Sequence, residues 1–125
     1  MSRKMILLGI ALLGPALTAA DVAPATRSVA DLKSFYQTRC ASCHGDDGSA
    51  RSATGAKLRG SDFTDAKAMQ RKNDEALAKT IRKGVFFGFA MPSFGKDLSE
   101  AEIALLVKDI LRKAEKGRAI SGKTP

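Results

Sequence analysis

The chain has no tryptophan, one tyrosine, one histidine and two cysteines among its 125 residues. Each scarcity excludes something. Two cysteines build no disulfide framework, so the small-scaffold route to stability through several bridges is closed. One histidine excludes any site needing a pair of imidazoles, and a closed zinc site lacks its usual four Cys/His ligands. No apolar run approaches the roughly 20 residues that span a bilayer comfortably. There is no Lys/Arg block interleaved with aromatics to read as a nucleic-acid surface. No alternation of strand and helix patterns suggests a β-α-β unit, and no internal repeat is present.

What the chain does have is concentrated in five residues. Both cysteines and the only histidine fall in Cys40-Ala41-Ser42-Cys43-His44. On a helix, positions three and four apart share a face, so Cys40, Cys43 and His44 would project together. A Cys-x-x-Cys-His run of this kind reads as covalent attachment of a c-type haem. The two thiols add across the haem vinyl groups, and the imidazole becomes one axial ligand. A redox-active dithiol would sit beside a β-α-β pattern. A plain disulfide leaves the adjacent histidine unexplained.

The first residues read as an export signal. Arg3 and Lys4 precede the apolar run from Met5 to Leu13, then Pro15 and a small-residue stretch ending Thr18-Ala19-Ala20. Cleavage is expected after Ala20, giving a periplasmic protein with a lead-in over 21–28. Losing Arg3 and Lys4 leaves 19 basic residues against 13 acidic ones, a net charge of +6. A basic surface favours an acidic redox partner or an anionic membrane surface. At about 105 residues, the exported chain is one small domain with a limited core, to which a covalently held apolar cofactor adds.

Helical signals then recur in order. Ser28 with Asp31 resembles a capping box, and Val29, Leu32, Phe35 and Tyr36 follow at helical spacing, predicting a helix over 29–39. Glycines punctuate a long loop after His44, which is expected to wrap the haem with Leu58 and Phe63 turned inward. Arg51, Lys57 and Arg59 are candidates for the propionates, with solvated surface charge as the default for each. Asp62 or Thr64 is expected to cap a short helix through Ala66, Ala68 and Met69. Asn73 caps a helix over 74–83 that Gly84 stops. The apolar run Val85 to Phe94 is expected to be a loop lining a pocket, because Pro92 bars a helix and no partner strand exists. Ser99-x-x-Glu102 starts a final helix over 100–113, followed by a loose tail over 114–125.

The sixth iron position rests on two methionines. Met69 lies in a helical segment where packing is its default role. Met91 follows the apolar loop and precedes Pro92, a rigid step that fixes the thioether direction, and it is the chosen ligand. A His/Met pair raises the reduction potential.

Taken in order, the helix, C-A-S-C-H-G, the glycine loop, N-D-E-A-L, M-P-S-F-G and the final helix resemble the small monohaem class I cytochromes c. The resemblance covers about 29–113. It implies an all-α cytochrome c fold, three to five helices around one covalent haem c with its iron, in which the terminal helices cross. It implies Cys40 and Cys43 at the thioethers, His44 at the proximal site and Met91 at the distal site. The function it implies is a monomeric periplasmic electron carrier, not an enzyme. Its partners would be redox proteins with acidic docking surfaces, with no nucleic acid and with membranes met only through partner complexes. Alternatives are an electron-accepting subunit of a dehydrogenase or oxidase complex, and a ligand-binding sensor or enzyme with a displaceable methionine. Two departures stand out. Ser52-Ala53 occupies the place of a Gly-Pro step whose carbonyl accepts the proximal histidine proton in relatives. Asp109 stands where relatives often carry an aromatic at the helix crossing.

Overall fold

The computed structural model describes residues 26–122, so the signal-like N-terminus lies outside the described residues. Among the described residues, all regular structure is helical apart from two isolated antiparallel bridges, Arg51 with Lys57 and Val85 with Met91. The all-α expectation holds.

Local chemistry explains most helix boundaries. Helix α1 (Val29–Arg39) starts at a reciprocal capping box, in which Ser28 accepts from the Asp31 N–H and Asp31 accepts from the Ser28 N–H. Two orphan donors are thereby satisfied. Cys40 ends α1, donating its N–H to the Tyr36 carbonyl, and α2 (Ala41–His44) carries the rest of the haem motif. Helix α3 (Ala66–Gln70) is capped by Asp65, which accepts from Ala68 N at 3.0 Å. The expected caps do something else: Asp62 accepts from Thr64 N and Thr64 Oγ1 in an Asx turn. Three short polar residues compete within four positions, and only one has the spacing to reach the N3 amide. Helix α4 (Asp74–Lys83) is capped by Asn73 and terminated at Gly84, whose φ of 73° suits glycine.

The last helix departs from the expected single α-helix over 100–113. Helix α5 (Glu100–Leu105) passes into a π turn (Leu106–Ile110) and a 3-10 turn (Leu111–Lys113). The Leu111 N–H is shared between the Leu106 and Val107 carbonyls, five and four residues back, which widens the turn. This widened segment is where the terminal helices meet. Leu32 and Tyr36 of α1 and Leu106, Val107 and Ile110 of the π turn are all buried in one core. The crossing is aliphatic on the C-terminal side. Asp109 stays at its margin, paired with Lys113 at 2.7 Å.

The segment after Lys113 is held more closely than a loose tail. Ile120 is buried, its N–H donates to the Asp46 carbonyl at 2.8 Å, and Gln37 Nε2 donates to its carbonyl. Gly117 N donates to Asp47 Oδ2 at 2.7 Å. A single apolar residue in a polar stretch is weak evidence in sequence, yet here it covers exposed core. Arg112 links the other end, donating to Asp74 Oδ1, the Met69 carbonyl and the Lys72 carbonyl.

Glu102 closes α5 onto the start of the domain. It accepts from Ser99 N at 2.8 Å and from Arg27 N at 2.9 Å, and pairs with the Arg27 guanidinium at 3.1 Å. The donated N–H bonds from Ser99 and Arg27 hold its carboxyl below the usual glutamate range. A depressed carboxylate pKa stabilises the fold fully above the unfolded value, and that stability is lost as pH falls through the folded value. Glu102→Gln is therefore expected to lower stability by about 1–2 kcal/mol at neutral pH, the scale of a lost cap. Chemical denaturation across the acidic range should show the gap between the two proteins closing as pH falls.

Candidate haem site

A cavity of about 390 Å³ opens between α1, α4 and the loops, within the usual size range of small-molecule sites. Its lining includes Cys40, Cys43, His44 and Met91, all four residues named from the sequence. Leu77, Ile81, Val85, Pro92, Phe94 and Leu111 make much of the remaining wall apolar. Met69 is buried elsewhere in the core and does not line this cavity.

His44 is oriented by the long loop. Its Nδ1 lies 2.9 Å from the Ser61 carbonyl oxygen, which only accepts, so Nδ1 carries the proton and Nε2 keeps its lone pair. The loop therefore does supply a carbonyl, but from Ser61 rather than from the Ser52-Ala53 step. Ser52 instead closes a small turn, accepting from Ala56 N and Gly55 N. Phe63 turns inward as expected and stacks on the imidazole, with ring centroids 4.5 Å apart and planes 18° off parallel. Burial lowers the His44 pKa, and the Ser61 hydrogen bond opposes that only in part. The neutral imidazole that a metal requires is thus favoured.

The motif and the loop are joined by backbone as well. Gly60 N donates to the Cys43 carbonyl at 2.7 Å, and Ala50 N to the His44 carbonyl at 2.7 Å. A Cβ on Gly60 would stand 2.4 Å from the Cys43 carbonyl oxygen and 2.6 Å from His44 Nδ1. Only glycine permits that approach.

The two cysteines form no disulfide. Burial pushes the Cys40 thiol up to about 11, against the opposing pull of Arg39. A disulfide oxidoreductase needs the reverse, a thiol lowered towards neutrality. Two free cysteines flanking an apolar cavity, beside a fixed neutral imidazole, fit a covalently attached haem. Of the three basic residues offered to the propionates, Arg59 lines the cavity. Arg51 donates to the Gly55 carbonyl at 3.0 Å, and neither it nor Lys57 reaches the lining. Arg39 and Lys72, which the sequence did not single out, line it as well. Arg39 lies 5.2 Å over the Phe94 ring, and Phe94 packs edge-on against Phe35 at 5.7 Å.

The run from Val85 to Phe94 is a loop, as expected, built around one short 3-10 turn (Phe86–Gly88), but only part of it lines the cavity. Val85, Ala90, Met91, Pro92 and Phe94 do so, whereas Phe86, Phe87 and Phe89 face solvent. Val85 N donates to the Met91 carbonyl at 2.9 Å and closes the loop at its base. The loop tip is thereby turned away from the pocket.

Residues 27–108 match the model of the family described as cytochrome c oxidase, cbb3-type, subunit III. The chain belongs to this family of c-type cytochromes. Its cofactor is accordingly a covalently bound haem c with its iron. Among solved structures, the chain is similar to the KustC0563 c-type cytochrome, at 26% identity and a TM-score of 0.52. That match covers 67% of this chain and 96% of the other. A tyrosine-to-phenylalanine mutant of Kustc0563 also matches, at 25% identity and a TM-score of 0.49, over 68% and 99% of the two chains. No curated protein matches the chain.

Gly60→Ala tests the clamp around His44. The overpacking is expected to cost about 1–3 kcal/mol, the usual penalty for a forced core contact. Haem content per polypeptide and the thermal unfolding temperature of the purified protein should both fall, whereas Gly55→Asn, which tolerates the left-handed φ of 83° there and whose Cβ meets nothing within 4 Å, should retain haem content.

Proposed function

We propose that this protein is a periplasmic electron carrier, exported by residues 1–20, with one haem c held by thioether bonds to Cys40 and Cys43 and ligated by His44 and Met91. The observation that carries this reading is the shared cavity. The proximal motif and Met91, from distant parts of the chain, line one apolar space, while the other methionine of the described residues does not. When bound, the haem supplies the ferric/ferrous couple.

The chain's own residues do the rest. His44 offers Nε2 because Ser61 holds Nδ1. Pro92 restricts the backbone beside Met91, and the Val85–Met91 bridge fixes the loop that presents it. Leu77, Ile81, Phe94 and Leu111 exclude water, which limits reorganisation when the charge changes. Arg59, Lys72 and Arg39 supply positive charge for the propionates. With His44 and Met91 as its ligands, a bound haem would have its reduced iron favoured and its potential raised. In this reading the protein acts as a monomeric carrier rather than an enzyme. Its basic balance suits acidic redox partners.

A second reading has specific support in the family description, which names a subunit of an oxidase. In that reading the same haem site serves a stable complex, and detergent-solubilised membranes should yield the cytochrome in a defined assembly of fixed stoichiometry. A free carrier purifies alone from the periplasmic fraction.

Visible spectroscopy of the exported protein tests the carrier. Sharp c-type bands, a methionine–iron charge-transfer band in the oxidised state and indifference to CO are expected. Met91→Ala should lose that band, bind CO when reduced and show a lower potential. CO binding by the unmodified protein would overturn Met91 as a closed ligand.

A further inference from the structure

The loop tip is unlike the rest of the surface. Phe86, Phe87 and Phe89 are 75%, 102% and 89% exposed, the large hydrophobic residues left in solvent among the described residues. Phe86 and Phe87 also hold left-handed backbone, with φ of 49° and 55°, followed by Gly88 at 94°. Left-handed geometry is costly for bulky side chains, and an exposed aromatic cluster is costly in water. Both penalties fall on one turn, and neither is repaid within the domain. None of the three rings lines the haem cavity.

The charges around the turn are one-sided. Lys83 ends α4 two residues before Val85, Lys79 lies one helical turn earlier, and Gly95 N binds the Arg82 carbonyl, which brings Lys96 to the same end. The three lysines are exposed and form no ion pair among the described residues. The nearby acids are engaged: Glu75 and Glu100 by Arg82, and Asp97 by Arg39.

We propose that the Phe86–Phe89 turn is a membrane-surface anchor, whose three rings enter the interface of an anionic bilayer while Lys79, Lys83 and Lys96 meet its headgroups. Aromatic apolar tips rimmed by basic residues bind such surfaces by combining buried apolar area with electrostatic attraction. The shape favours lipid over a protein. The three rings are almost wholly exposed and a Cβ at Gly88 would meet nothing within 4 Å, so the turn projects from the domain, which a bilayer accepts without a matching cup. A second copy is disfavoured because two tips would bring together six unpaired lysines. The proposal revises the expectation that membranes are met only through partner complexes. It goes beyond the electron-carrier reading and does not rest on it.

Co-sedimentation of the purified haem-loaded protein with large vesicles tests it. The vesicles are phosphatidylcholine alone or with about 30 mol% phosphatidylglycerol, a composition chosen to give an anionic surface. Bound protein is read by absorbance. The anionic vesicles should be bound at least about tenfold more tightly, as interfacial attraction of three lysines requires. Phe87→Asn keeps a residue tolerant of left-handed backbone and removes the ring. It should weaken binding about tenfold while leaving the visible spectrum unchanged and the melting temperature no lower. Phe87→Leu should retain most binding, and Lys83→Gln with Lys96→Gln should flatten the salt dependence. No binding to anionic vesicles overturns the proposal, as does equal binding by Phe87→Asn, which would mean charge alone. A dimer in sedimentation equilibrium that Phe87→Asn dissociates, without vesicle binding, overturns it in favour of a second copy.

Discussion

The hydrogen bond from the His44 ring to the Ser61 carbonyl orders the site, because it ties the motif to a loop that has no regular structure of its own. Gly60 N reaches the Cys43 carbonyl beside it, and Phe63 stacks on the imidazole. Together these contacts give a short motif helix a fixed roof. One protonated ring nitrogen leaves the other unprotonated and aimed by the same contact. The long glycine-rich loop is thereby explained. Its length lets the chain leave His44, turn through Gly48 and Gly55, and return over the ring.

The rest of the architecture supports that geometry. Helix α1 delivers Cys40 at its end, and its buried Leu32 and Tyr36 seat it on the widened last helix. Tyr36 places its hydroxyl on the Gly45 carbonyl at 2.8 Å, just beyond the motif. The same core residue therefore packs the helix crossing and positions the loop exit. Arg112 and Glu102 close the domain at two ends with hydrogen bonds to backbone, the stronger use of a charged side chain than an exposed ion pair.

Met91 shows how one loop serves two surfaces. Its inner residues, Val85, Ala90 and Pro92, contribute to the apolar wall, while the three phenylalanines between them turn outward. The run reads as uniformly apolar, so hydrophobicity alone assigns all of it to the pocket. The bridge between Val85 and Met91 divides it, since closing the base of a tight turn leaves the tip without protein to pack against.

The sequence by itself determined what depends on near neighbours. The Cys40–His44 motif and its cofactor and the starts of α1, α4 and α5 were legible from spacing and caps, the stop at Gly84 from the glycine, and the choice of Met91 over Met69 for the cavity from the apolar loop before it and Pro92 after it. Caps, periodicity and covalent attachment act over a few residues, so their signals lie in one stretch of chain. Tertiary structure decided what depends on chain return. It selected Ser61 rather than the 52–53 step for His44, brought Arg39 and Lys72 to the cavity beside Arg59, and packed Ile120 onto the domain. It widened the last helix where α1 crosses it, and sent Phe86, Phe87 and Phe89 to the surface. A backbone carbonyl is chemically the same at every position, and an apolar side chain carries no mark of the direction it will face. Those choices are made only when distant segments meet.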